Sequence, residues 1–177
     1  MDGEDVGKER SAFSELEPRL PTEDDLVLLC RRLNEIGAQY VVVGGFAIIR
    51  AGYPRPTGDI DLVIATDLEN ETLVYRALEV FPDKAVRELK PGEVADYVVV
   101  RVADEVVVDL MHSASGIDYA EAAKDVIVRE VQGVPIPFAS PRLLWRMKAY
   151  THREKDAADL IFLREYFEQI GEKPPER

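Results

Sequence analysis

Apolar residues recur at helical spacing through Leu26, Leu29, Cys30, Leu33 and Ile36, which predicts an amphipathic helix. Thr22 stands as its N-cap, Glu23, Asp24 and Asp25 occupy the first turn, where negative charge suits the helix dipole, and Gly37 stops it. Tyr40-Val41-Val42-Val43 then reads as a short buried strand. Gly44-Gly45 breaks it, and the apolar run 46–50 reads as a helix starting at the glycines. Residues 52–58, with two prolines and two glycines, form a loop. Residues 59–64 alternate as a strand should, and Asp67 caps a helix carrying Leu68, Leu73, Leu78 and Val80. Further strands are expected at 85–89, 97–102, 105–111, 126–131 and 134–138, with a short helix at 119–123. The strands at 97–102 and 105–111 are close enough for an antiparallel hairpin. Ser140-Pro141 is an N-cap followed by a first-turn proline. It opens a helical stretch over 143–170 with a break near Thr151, ended by Gly171 and Pro174-Pro175.

This order predicts an α+β fold: a mixed β-sheet flanked by helices, with a C-terminal helical section. The expected division is a flexible acidic leader (1–21), a core (22–139), the helical section (140–171) and a tail (172–177). At 177 residues the chain has room for one ordinary domain. A hydrophobic content of 46% with 32% charged residues excludes a disordered chain, and no apolar run is long enough to span a membrane. Cys30 is the single cysteine, which excludes an intrachain disulfide and a cysteine-rich zinc site; on the apolar stripe it reads as inert. The opening Met1-Asp2-Gly3-Glu4-Asp5 has no basic region followed by an apolar one, so a reducing cytoplasm is the expected compartment. The net charge of -12 repels nucleic-acid backbones at long range, which argues against broad nucleic-acid binding and tolerates bound divalent metals.

Candidate chemistry starts at Asp59-Ile60-Asp61. With a period of two, both carboxylates share one side of the strand and Ile60 faces the core. Two acids held this close repel unless something positive lies between them, and a divalent cation with oxygen ligands is the natural partner. Asp109 is a third acid, in the otherwise apolar strand Val106-Val107-Val108-Asp109-Leu110-Met111. An unpaired charge there is expensive. It is answered either by Arg101 or by convergence with Asp59 and Asp61, where three acids can hold two metals for in-line phosphoryl transfer. Gly44-Gly45, between a strand and a helix, lets backbone N–H groups approach an anion, and Arg55 and Thr57 can add phosphate contacts. Residues 142–159 hold five bases (Arg142, Arg146, Lys148, Arg153, Lys155) and three acids (Glu154, Asp156, Asp159). That local positive balance suits a triphosphate or a single RNA end, and a solvated helix face with the i, i+4 pairs Lys155–Asp159 and His152–Asp156 would look similar.

Gly44-Gly45, then Arg55-Pro56-Thr57-Gly58-Asp59-Ile60-Asp61-Leu62, then Asp109 on a later strand resembles the DNA polymerase β-like nucleotidyltransferase superfamily over roughly residues 38–111. Lys148 followed by Arg153-Glu154-Lys155-Asp156-Ala157-Ala158-Asp159 is similar to the C-terminal part of AbiEii-type toxin nucleotidyltransferases and their relatives. The resemblance implies NMP transfer from an NTP to an acceptor hydroxyl, with pyrophosphate leaving. It implies two Mg²⁺ ions, with Mn²⁺ as a substitute, held by Asp59, Asp61 and Asp109. It implies nucleotide contacts from Gly44, Gly45, Arg55, Thr57 and Lys148, and a catalytic role for Asp156 as a base near the acceptor. The acceptor is left open among a protein side chain, a tRNA end and a small molecule, and an antitoxin partner is implied by the AbiEii likeness. The chain lacks the extra domain with which larger members grip an acceptor. The competing reading is a non-catalytic nucleotide- or partner-binding module of the same fold.

Overall fold

A computed structural model describes residues 9–13 and 17–176. Its elements are β1 (Glu9–Phe13), α1 (Glu23–Glu35), β2 (Tyr40–Val43), α2 (Gly44–Ala51), β3 (Ile60–Ile64), α3 (Leu68–Leu78), α4 (Glu93–Asp96), β4 (Val99–Ala103) and β5 (Val107–Met111). The chain continues through β6 (Ser113–Ala114), β7 (Ile117–Asp118), α5 (Tyr119–Ala122), β8 (Val126–Val131), β9 (Val134–Ala139), α6 (Pro141–Lys148) and α7 (Ala157–Gln169). Seven strands make one mixed sheet in the order β1-β4-β5-β3-β2-β9-β8, and β6-β7 is a separate two-stranded ribbon. The β4–β5 hairpin is antiparallel, as its short turn requires, while β3 and β5 run parallel.

The core follows the patterning. Leu26, Leu29, Cys30 and Leu33 of α1 are buried with Val41, Val42, Ile60, Leu62, Val63 and Ile64 of the central strands. Burial pushes the Cys30 thiol up to about 12, so it is protonated and unreactive at neutral pH. Helix starts fall where short polar side chains satisfy free N–H groups: Asp67 accepts from Asn70 N at 3.0 Å and Ser140 from Leu143 N at 3.1 Å. Among the described residues no helix is long and apolar enough to cross a membrane.

The structure departs from the sequence expectations in two places and meets them in a third. Residues 9–13, expected to be part of a flexible leader, form an edge strand paired parallel to β4; Arg19 is also tied down, by Asp25 at 2.7 Å and Glu105 at 3.3 Å. The remaining leader positions 1–8 and 14–16 lie outside the described residues, as does residue 177 of the tail. The strand expected at 85–89 is a 3₁₀ turn, Ala85–Glu88. Its buried residues Ala85, Val86 and Leu89 follow a helical spacing, and the buried Asp104 carboxylate pins the turn by accepting from Asp83 N at 3.0 Å and Ala85 N at 2.9 Å. The C-terminal helical stretch does break near Thr151: α6 ends at Lys148, His152 takes a left-handed φ of 54°, and a 3₁₀ turn, Glu154–Asp156, leads into α7.

Candidate active site

One row across the sheet builds the site. Val43 on β2 lies opposite Asp61 on β3, Asp61 opposite Asp109 on β5, and Asp109 opposite Arg101 on β4. The strand period puts Asp59 on the same side as Asp61 while Ile60 is fully buried on the other. Carboxylate oxygens of Asp59, Asp61 and Asp109 consequently lie within 4.8 Å of one another. Burial, then the charges of Asp59 and Asp109, raises the Asp61 carboxyl well above its ordinary value; Asp59 is raised by burial and then by Asp109.

These shifts have a pH consequence. A carboxyl raised by folding contributes stability that is complete below its unfolded value and is lost as pH rises through its folded value. The metal-free protein is therefore expected to lose this contribution as pH climbs from about 4, and added Mg²⁺ should restore stability at the upper end. Thermal melts across pH, with and without Mg²⁺, measure both; a metal-induced shift that does not grow with pH would contradict the assignment.

Gly44 follows directly. It adopts a φ of 64°, and a Cβ there would lie 2.0 Å from Asp61 Oδ2. No other residue type lets the backbone turn into α2 this close to the carboxylate. A Cβ on Gly45 would lie 2.3 Å from Thr57 Oγ1 and 3.2 Å from an Arg55 guanidinium nitrogen. The glycine pair thus brings the start of α2 against the acids on one side and the 52–58 loop on the other.

The far wall comes from the C-terminal section. Lys148, 7% exposed, bridges Asp156 at 3.0 Å and Asp159 at 3.2 Å. Asp159 also takes both prongs of Arg55, at 2.7 and 2.8 Å, which fastens the loop to α7. Asp156 accepts from Thr151 at 2.9 Å and Arg153 at 2.8 Å as well. Burial alone would raise the Asp156 carboxyl, but its bonds to Lys148 and Thr151 and the charges of Lys148 and Arg153 hold it below the ordinary value. A carboxylate so fully engaged is a poor proton acceptor and a good anchor, so its geometry does not favour the base role that the resemblance implies. The anticipated pairs Lys155–Asp159 and His152–Asp156 are replaced by this network, because the break after α6 rotates the two halves out of one helical register. Lys148→Ala should cost about 3 kcal/mol, near the low end for breaking a buried pair because Arg55 and Arg153 still face the acids; urea unfolding measures it.

Gly44, Gly45, Arg55, Thr57, Asp59, Asp61, Asp109, Lys148 and Asp156 all line one cavity of about 620 Å³. Every candidate site residue is thus brought together. Arg101 belongs there too: Nε and Nη2 donate to the two oxygens of Asp109 at 2.9 Å each, and Nη2 reaches Asp59 at 3.4 Å. Both answers to the Asp109 charge, pairing with Arg101 and convergence with the other acids, hold at once. Arg153, Asp159 and Lys155 also line the cavity; their signal in the sequence was the acid–base run 153–159, read there partly as surface pairing.

An all-oxygen set of three close carboxylates fits hard divalent cations, Mg²⁺ or Mn²⁺, and does not fit a soft thiophilic metal.

No protein-family model matches the chain, and no curated protein matches it. Among solved structures, ANT(2")-Ia in complex with adenylyl-2"-tobramycin superposes with a TM-score of 0.52 at 13% identity, over 82% of this chain and 90% of that one. An antigenic nucleotidyltransferase-like protein from Paracoccidioides brasiliensis gives 0.48 at 19% identity, over 80% of this chain and 74% of that one. The chain has a nucleotidyltransferase-like fold, a mixed sheet flanked by helices with a C-terminal helical section.

Proposed function

We propose that this protein is a metal-dependent nucleotidyltransferase that moves an NMP group from an NTP to an acceptor hydroxyl. The observation that carries the reading is the register match of Asp61 with Asp109 on neighbouring strands, which gathers three carboxylates beside Gly44 at one end of the cavity. Asp59, Asp61 and Asp109 would hold the divalent ions, which when bound neutralise phosphate charge and polarise the phosphoryl oxygens.

The row across the sheet gives the substrate a direction. Gly44 adjoins Asp61 and Gly45 adjoins the 52–58 loop, so on this reading backbone N–H groups at the start of α2 take the triphosphate tail. Asp109 lies one strand further away, so the acceptor enters from the β4–β5 side. The acceptor oxygen bonds to the α-phosphorus as the bond to pyrophosphate breaks, and the hydroxyl proton leaves toward Asp109 or solvent. Lys148 and Arg55, braced by Asp156 and Asp159, hold the opposite wall in place, which is the positioning such transfers need. ANT(2")-Ia bound to adenylyl-2"-tobramycin supports a nucleotidylated hydroxyl as the product class.

The test is incubation with each α-labelled NTP and Mg²⁺ in cell lysate, with tRNA and with small-molecule acceptors, while pyrophosphate is monitored. Label should move to one acceptor fraction and stop with a chelator. Label on tRNA ends would make it the toxin-type enzyme, for which an antitoxin partner would be sought. Nucleotide binding without transfer to any acceptor would instead support the non-catalytic module.

A further inference from the structure

The Arg101 guanidinium and a divalent cation want the same oxygens. Its fork spans both oxygens of Asp109, and the shared nitrogen also faces Asp59. The position is set by the hairpin: Arg101 lies directly opposite Asp109 in the β4–β5 register. Bidentate Arg–carboxylate pairs are among the stronger charged contacts, so this one has to be loosened before a second positive group can approach the same atoms. The other arginines and the buried lysine on the cavity wall, Arg55, Arg153 and Lys148, bind Asp156 and Asp159. Among the described residues Arg101 is the cation ion-paired to the metal-binding trio, while Lys148 acts on Asp61 through its charge without an ion pair. The Arg101 side chain is 49% exposed and lines the cavity, so it has room to swing from the acids without unpacking the core.

We propose, on the nucleotidyltransferase reading, that Arg101 competes with the divalent cation for Asp59 and Asp109 and, once displaced, binds the α-phosphate of the incoming NTP, the end of the triphosphate that faces β4. Metal and nucleotide then load together. Metal alone has to break the Arg101–Asp109 pair with nothing to receive the guanidinium, whereas the triphosphate supplies a new anionic partner. By linkage, nucleotide tightens metal binding by the same factor that metal tightens nucleotide binding. Arg101 thereby gates the ions and couples their entry to that of the nucleotide.

The experiment titrates Mn²⁺ alone into the full chain, reading free Mn²⁺ by electron paramagnetic resonance, and repeats the titration with a non-hydrolysable ATP analogue. Wild type is compared with Arg101→Gln, Arg101→Lys and Asp61→Asn, each checked for folding by circular dichroism. Arg101→Gln should bind Mn²⁺ alone about tenfold more tightly, as expected when a charged hydrogen-bonded competitor is removed. The tightening of Mn²⁺ by the analogue, present in wild type, should largely vanish. Arg101→Lys, a point charge without the fork, should fall between the two; it decides the matter if the glutamine variant does not fold. Unchanged or weaker Mn²⁺ binding in folded Arg101 variants overturns the competition. If Asp61→Asn also leaves Mn²⁺ binding at the wild-type level, the metal site itself is wrong and both readings fall; if Asp61→Asn abolishes binding, only the role of Arg101 falls.

Discussion

Asp61→Asn is expected to lower NMP transfer by more than about 100-fold, since losing a ligand should exceed the 10–100-fold typical of second-sphere changes. In the same protein the thermal midpoint without metal should rise. Asp61 is a half-buried carboxylate facing Asp59 and Asp109, and its charged form is disfavoured by burial and by both neighbours. Asparagine has nearly the same shape and no charge, so it relieves repulsion that the native residue carries. A rise of roughly 2–4 °C would correspond to about 1 kcal/mol for a chain of this size. Mg²⁺, which should stabilise the wild type, should do little for the variant. A merely structural aspartate would behave the opposite way, because its loss would leave a donor unpaired and lower the midpoint. Normal turnover, or a fall in metal-free stability, would remove Asp61 from the proposed chemistry.

Gly44→Ala should damage both stability and activity. The left-handed backbone costs an alanine roughly 1–2 kcal/mol, and the new methyl would lie 2.0 Å from Asp61 Oδ2. Either the carboxylate moves or the start of α2 does. A displacement of about 1 Å at the reacting centre can cost ~100-fold in rate, so the activity loss should approach that of Asp61→Asn while the stability change has the opposite sign. Gly45→Ala is the informative comparison. Its backbone is ordinary, but the methyl would lie 2.3 Å from Thr57 Oγ1 and 2.7 Å from Thr57 Cβ, so the 52–58 loop itself has to give way. Denaturant unfolding and NMP transfer on the two variants separate strain at the turn from crowding in the loop. Equal, mild effects at both positions would mean that the close approach of α2 to Asp61 is dispensable.

Much of the fold and most of the site could be read from residue order because the decisive signals are local. The alternation of Asp59-Ile60-Asp61 puts two acids on one side of a strand whatever its neighbours are, and the glycine pair marks the strand-to-helix turn. Convergence with Asp109 is a long-range fact, set by parallel pairing of β3 with β5. It was nevertheless accessible, because a lone acid in an apolar strand demands a partner. The turn at 85–89 misled because its apolar content suits a strand, while its conformation is dictated by Asp104, about twenty residues later in the chain. The C-terminal contacts misled for a related reason. Side-chain spacing on one continuous helix predicts i, i+4 pairs, but the break at 149–153 lets Arg55, more than a hundred residues away, claim Asp159. Strand Glu9–Phe13 was missed because five residues with little alternation acquire an edge position only when β4 is there to receive them.

That pairing bears on how the protein should be handled. With Glu9–Phe13 in place, β4 is an interior strand, and Ser11 sits beside Arg101. A shortened version beginning after residue 20 would bare the main-chain donors and acceptors of β4, inviting strand-to-strand association between copies. It would also loosen the ribbon from which Arg101 projects, so trimming a seemingly idle terminus to aid crystallisation would alter ion binding as well as solubility.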